Sequence, residues 1–332
     1  MAWYETPAAR ALGVRYPLVQ APMSGLTTPE LAAAVSSAGG LGSLGAAWME
    51  PDDLRAAIRA VRALTDRPFL VNLFAWPEPD AAPDAHPRLD DQLAVVAAER
   101  VPAFGFTFGI PEFAELKAGG AVIVGTATTV GEARALEAAG VDVVVAQGWE
   151  AGGHRGTFER PPGDVEAGLV ALVPQVVDAV SLPVLAAGAI MDGRGIAAAL
   201  ALGAGGAALG TAFIAARESS APPAYRRLLA ATPVEGPRVS AVFSGREARL
   251  VRTKAVEELL DRGEAVAAYP RQLDVTRPLH RAGLRDDDPE RLFALAGQGA
   301  GLVRELSAAE LLATLVAETG DAVARLDVGG GG

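Results

Sequence analysis

Over the first two thirds of the chain, short and nearly continuous apolar runs alternate with longer stretches rich in Ala and Leu. Eight runs read as strands: Leu18–Ala21, Leu41–Leu44, Phe69–Leu73, Ala103–Thr107, Ala121–Gly125, Asp142–Ala146, Pro183–Ala187 and Ala207–Gly210. Runs without an alternating polar face are buried on both sides, which is the pattern of parallel strands covered by helices. Helical stretches lie between most of them: Pro29–Ala38, Pro51–Leu64, Asp90–Glu99, Pro111–Lys117, Val130–Ala139, Leu169–Val180 and Gly193–Leu202. Thr28-Pro29-Glu30 and Glu50-Pro51-Asp52 place proline and an acid in a first helical turn, as helix starts prefer. Eight strand–helix alternations predict an α/β fold, a (β/α)8 TIM barrel, with a doubly wound open sheet as the alternative.

The pattern changes after Ala216. Residues 217–295 carry scattered prolines, many arginines and the run Asp286-Asp287-Asp288. They read as a smaller, mostly helical cap inserted after strand eight of a barrel spanning 1–216. Ala296–Glu318 returns to a helical pattern, so 296–328 is expected to supply the final barrel helix, and 329–332 a disordered tail. No internal repeat is evident. Gly195–Ala216 is uncharged and long enough to cross a bilayer, and it holds a GxxxG match at Gly206–Gly210. Gly203-Ala204-Gly205-Gly206 interrupts it, however, so it reads as buried helix, turn and buried strand.

Charge and composition narrow the function. A formal net charge of −11 argues against nucleic acid or an anionic membrane as partner. An anionic cofactor remains compatible, because a helix N-terminus holds phosphate locally. The chain has no cysteine and three histidines, which excludes thiolate chemistry and Cys-based metal sites and leaves no multi-histidine site to expect. Met1-Ala2-Trp3-Tyr4-Glu5 has no basic or apolar leader pattern, so a cytoplasmic location is expected.

The stretch Ala146–Phe158 concentrates the candidate chemistry. A buried strand empties into Gly148-Trp149-Glu150-Ala151-Gly152-Gly153-His154, which is how a barrel presents a reactive side chain. His154 at the mouth would act as base, acid or donor; a surface histidine is the bland alternative. Gly40-Leu41-Gly42-Ser43-Leu44-Gly45 matches GxGxxG, but the helix precedes it and a strand overlaps it. That inverts the dinucleotide-binding order and leaves a helix cap and tight turn. Ala186–Ile190 with Asp192–Gly195, and Leu209–Phe213, end strands seven and eight, where barrels bind phosphate on backbone N–H groups; turn glycines are the alternative. Gln20–Gly25 ends strand one with a stiffening proline, and Met23 there would lie along a flat ring or merely pack the turn. Asn72 and Gln147 put carboxamides at strand ends. His86, in a proline-rich loop, reads as exposed, whereas His280, Tyr269 and Gln272 are cap residues that could approach the mouth.

Taken together, Gln20–Gly25, Val71–Phe74, Ala146–Phe158, Ala187–Ile190, Asp192–Gly195, Gly210–Phe213 with Glu218-Ser219, and Ala296–Gly299 resemble the nitronate monooxygenase (2-nitropropane dioxygenase) family of FMN-dependent TIM barrels. The Glu150–His154 loop is also shared with FMN-dependent enoyl-thioester reductases and NADH:quinone reductases. The resemblance implies FMN contacts at Ala21, Pro22, Met23, Asn72, Gln147, Gly152, Gly153, Gly188, Gly210 and Thr211, with Ala187 and Ala189 completing the Gly188 loop. Ala189 stands where many relatives have a second glycine. His154 is implied as the catalytic base or substrate-orienting residue. The implied reaction is oxidation of nitronates, and of nitroalkanes, by O2 to a carbonyl compound and nitrite, in a monomer or homodimer with no metal. Arg155–Phe158 favours this branch. The alternative is an NAD(P)H-dependent quinone or enoyl-thioester reductase, and the phosphate loops alone would also allow a non-redox barrel for a phosphorylated metabolite.

Overall fold

The computed structural model describes residues 2–75, 89–159, 166–263 and 265–327; His86 and the 329–332 tail lie outside them. Eight parallel strands form the barrel: β1 (Leu18–Gln20), β2 (Gly42–Gly45), β3 (Phe69–Phe74), β4 (Ala103–Thr107), β5 (Val122–Ala127), β6 (Val143–Gln147), β8 (Val184–Ala187) and β9 (Gly206–Leu209). Between the last three runs a two-residue strand intervenes, β7 (Gly153–His154). Pairing runs β1-β9-β8-β6-β5-β4-β3-β2, so each strand lies beside its sequence neighbour and the two ends meet. This is the α/β barrel, not the open sheet.

The β1–β2 seam closes through one bridge, Val19 to Leu41, and through side chains. Buried Gln20 accepts from the Ser43 N–H at 2.9 Å, and the Ser43 hydroxyl donates to the Gln20 carbonyl at 2.7 Å. These bonds replace ladder bonds where strand contact is shortest. The Gly40–Gly45 glycines serve the same seam: a Cβ on Gly42 would sit 1.9 Å from the Ala32 carbonyl oxygen. Helix and strand approach too closely there for any side chain, so the motif is packing.

Thr28 caps helix Pro29–Ser37, its hydroxyl accepting from the Leu31 N–H at 3.0 Å, with Pro29 in the first turn. Between the barrel and the helical ring, residues such as Leu31, Leu54, Ile58, Phe104 and Leu136 are fully buried. Each contributes about 1.5–3 kcal/mol. Gly195–Ala216 is divided among helix Gly193–Ala201, β9 and the short helix Thr211–Ile214. Among the described residues no helix is long and apolar enough to cross a membrane.

Two helices begin later than the sequence pattern indicates. The stretch expected over Pro111–Lys117 is helical over Ala114–Ala118. The final helix is Ala308–Asp327, packed on helices 193–201 and 29–37 to close the ring. Residues 296–307 are loop apart from one 3-10 turn, although their composition looks helical. Tight backbone packing over Ala296–Gly299 is the cause: a Cβ on Gly152 would lie 2.3 Å from the Gly297 nitrogen, and one on Gly299 2.6 Å from Met191 Cγ.

Residues 217–295 form helices Pro223–Ala231, Lys254–Asp261 and Gln272–Arg285 and an antiparallel pair, β10 (Pro237–Ser240) and β11 (Ala248–Val251). The segment is mostly helical, and the pair adds a small sheet that matters for function. β11 also pairs with β7, Ala248 opposite His154 and Arg249 opposite Gly153. The barrel loop carrying His154 is thus one strand of the cap's sheet.

Candidate active site

One cavity of about 830 Å³ opens at the C-terminal ends of the barrel strands, under the cap. That volume suits a ligand of cofactor size. All thirteen residues that the sequence singled out for the site line it: Ala21, Pro22 and Met23 after β1, Asn72 in β3, Gln147 with Gly152, Gly153 and His154, Ala187–Ala189 after β8, and Gly210–Thr211 after β9. The sequence did not point to Thr107 and Thr126, which complete a polar ring with Asn72 and Gln147. Each continues the inward alternation of its strand, Thr107 after Gly105 and Thr126 after Val124, which was the available signal.

Gln147 works first on its own loop. Its amide donates to the His154 carbonyl at 3.0 Å, and its oxygen accepts from the Gly156 N–H at 2.8 Å and from Arg155 at 3.1 Å. One amide N–H is left for a ligand. Arg155 is 2% exposed and donates to the Gly148 carbonyl at 2.8 Å. The far side of the loop hangs on a residue that composition does not reveal. The Glu132 carboxylate, fully buried, accepts from the Thr128 N–H at 2.6 Å, the Thr128 hydroxyl at 2.8 Å, and the Phe158 and Glu159 N–H groups at 2.5 and 3.0 Å. Removing it strands several buried donors. Glu132→Ala is therefore expected to lower unfolding free energy by roughly 3 kcal/mol or more. Urea denaturation measures this, and a loss under about 1 kcal/mol, the worth of one ordinary hydrogen bond, would contradict the assignment.

His154 sits in an aromatic box. Ring centroids of Tyr269, Phe108, Phe243 and Phe74 lie 5.7, 5.8, 6.2 and 6.3 Å from its own. Its Nε2 lies 2.8 Å from Ser244 Oγ. The Arg246 guanidinium lies over the Phe108 ring, 3.9 Å from its centroid, and donates to the Thr157 carbonyl. Burial among these rings, and next the Arg246 charge, push the His154 pKa from 6.5 down to about 3. The imidazole is accordingly neutral at physiological pH, although one side of it faces the cavity. Phe108 holds a φ of +80°, which a bulky residue adopts only when its surroundings impose it.

Backbone N–H groups collect on another wall. The loops after β8 and β9 leave paired strands, Ala187 beside Ala208. Among the described residues, no backbone carbonyl takes the N–H groups of Gly188, Ala189, Gly210 or Thr211. Ala189 keeps a left-handed φ of +49°, so replacing glycine there retains the turn at a cost of roughly 1–2 kcal/mol. The nearby longer helix is already capped: Asp192 accepts from the Arg194 and Gly195 N–H groups, and Glu318 from Gly193. Among the described residues, the two loops and the start of the short Thr211 helix keep donors that no backbone carbonyl takes.

The cap candidates divide. His280 lines the cavity and its Nδ1 accepts from the Phe293 N–H at 3.1 Å, which leaves the proton of the neutral ring on Nε2; burial lowers its pKa. Tyr269 reaches the site by packing on His154. Gln272 does not reach the mouth. Its amide donates to the Val242 carbonyl and accepts from the Ala267 N–H, tying the cap to itself.

A profile of the nitronate monooxygenase family matches residues 6–318. The chain belongs to this family. It is 44% identical to a nitronate monooxygenase of Pseudomonas aeruginosa, over 93% of this chain and 97% of that one. It is 41% identical to a nitronate monooxygenase of Paraburkholderia phytofirmans, over 95% of each. Among solved structures, the nitroalkane oxidase of Streptomyces ansochromogenes superposes with a TM-score of 0.90 at 40% identity, covering 96% of this chain and all of that one. FabK of Thermotoga maritima superposes with a TM-score of 0.82 at 34% identity, covering 97% and 98%. The barrel and its cap thus occur in proteins of more than one name, and the chain is an enzyme of the nitronate monooxygenase family.

Proposed function

We propose that the chain oxidises alkyl nitronates, with flavin mononucleotide held at the barrel mouth and dioxygen as oxidant, releasing a carbonyl compound and nitrite. The observation that carries this reading is the pairing of a donor cradle with a neutral histidine beside a buried guanidinium, across one cavity. The residues fit the cofactor. Four N–H groups that no backbone carbonyl takes among the described residues suit its phosphate, and Gly210 leaves open the space that a Cβ would fill. Asn72 and Gln147 offer amide groups to the heteroatoms of a flat ring. When bound, the flavin supplies the electron transfer between nitronate and dioxygen.

The chain's own residues select and hold the substrate. A nitronate is an anion, and the Arg246 charge beside the box favours it over its neutral acid. His154, neutral and anchored through Nε2 to Ser244, orients the nitro group and is a poor proton acceptor. That supports pre-ionised nitronates as substrates ahead of neutral nitroalkanes. In the balanced change the C=N bond gives way to C=O, two nitronates taking one oxygen atom each from O2 and releasing two nitrites. Phe74, Phe108, Phe243 and Tyr269 keep water from the reacting carbon.

Anaerobic mixing tests the reading. Propionate 3-nitronate is expected to bleach the flavin rapidly and NADH to leave it coloured. Fast bleaching by NADH with none by the nitronate would move the chain to the reductase alternative.

A further inference from the structure

The cavity continues below the polar ring. There it is lined by Val19, Leu41, Leu70, Val124, Val145 and Leu185, and it reaches Leu12. Strand residues alternate faces, so Leu70 lies one inward position below Asn72, Val124 below Thr126 and Val145 below Gln147. Leu12 ends helix Pro7–Leu12, which plugs the opposite end of the barrel. Thr6, its cap, donates to the Gly205 carbonyl at 2.6 Å just before β9. Barrel interiors of this class are ordinarily filled by layers of branched side chains. Here Gly105 and Ala208 contribute little volume to that layer, and a narrow well remains under the mouth. It touches Val124 and Ala208, 5 and 6% exposed, and Leu12 at 2%, while Leu41 and Leu185 are closed.

We infer that this well is a binding site for dioxygen, the oxidant named in the flavin reading above, on which the inference rests. None of the seven side chains carries a polar atom, so the well offers water no hydrogen bond and stays dry. A small apolar molecule gains by leaving water for such a space. A nitronate there would lose every polar partner, so charge assigns the two reactants to different ends of one cavity. The anion belongs above the polar ring, beside His154 and Arg246, and dioxygen belongs below it. The two reactants then do not compete for the same space.

Xenon is the probe for the well. A crystal of the protein under xenon pressure is expected to show the gas among Leu12, Val124 and Ala208, and Val124→Phe to abolish it. In the same variant kcat/KM for dioxygen is expected to fall roughly tenfold, equivalent to about 1.4 kcal/mol, while anaerobic bleaching by nitronate keeps its rate. Leu12→Phe fills the floor far from the mouth and repeats the measurement should Val124→Phe lose its flavin. The inference is overturned by an empty well under xenon, by unchanged oxygen dependence once xenon is excluded, or by equal slowing of both half-reactions, which would mean a disturbed cofactor seat. Failure of the nitronate reading looks different: unaltered protein would resist bleaching by nitronate while xenon still bound.

Discussion

Asparagine in place of His154 is expected to lower kcat/KM for propionate 3-nitronate by about two to four orders of magnitude, with full flavin occupancy retained. Three independent restraints fix the imidazole. Its backbone is strand β7, paired with the cap, its carbonyl is held by Gln147, and its Nε2 is held by Ser244. A shorter amide keeps a donor but fills neither the aromatic box nor the reach to substrate. The pH profile separates an orienting role from a basic one. With a pKa of about 3, His154 contributes no limb to kcat/KM between pH 5 and 9, and any acid-side fall follows protonation of the nitronate. Stability should show the histidine instead. Below pH 6.5 the unfolded chain binds a proton that the folded one declines until about pH 3, so stability is lost as pH falls through that window. Thermal melts at pH 7 and pH 4 measure this, and the difference should shrink in His154→Asn protein. Activity of the variant within tenfold of the parent on nitronate would remove His154 from its role.

The parts legible in the sequence are those whose burial is set locally. The eight strands are apolar on both faces, so their runs stand out whatever they pair with. Pro29 and Pro51 mark helix starts because a first turn needs no proline N–H. The Gly40–Gly45 match was separated from a nucleotide loop by element order alone, and the Gly42 approach to Ala32 gives the reason. The site residues at strand ends followed from the barrel, since its strands deliver their last inward side chains to one mouth.

What escaped the sequence depends on contacts between distant segments. β7 and β11 are short and lie about ninety residues apart, and Ala248-Arg249-Leu250-Val251 has no alternation that foretells its partner. Ser244, Arg246 and Phe108 set the state of His154 from three-dimensional neighbourhood only. The charge of Glu132 would place it at a surface, yet four donors hold it fully buried. Ala296–Gly299 looks helical by composition, and only its backbone contacts with the Gly152 and Ala189 loops show why it is not.

Aspartate in place of Gly210 is expected to yield a folded, colourless protein whose affinity for flavin mononucleotide is at least about a hundredfold weaker. The glycine is unexplained by the fold itself. Its φ is −96°, which any residue adopts, and an added Cβ would meet nothing nearer than Ala21 Cβ at 3.7 Å and Met23 Sδ at 3.9 Å. Gly152 differs, because a Cβ there would collide with backbone. The space beside Gly210 is therefore kept for a ligand, and the neighbouring N–H groups make that ligand an anion. A carboxylate at this position occupies the cradle and repels phosphate, and two to three lost charge-assisted hydrogen bonds at about 1.5 kcal/mol each account for the loss. Fluorescence titration of apoprotein with flavin mononucleotide measures the affinity, and thermal melting of the two apoproteins controls for folding. Tight flavin binding by the variant would place the phosphate elsewhere. A low melting temperature shared with Gly210→Ala would instead assign the glycine to packing, against the clearance around it.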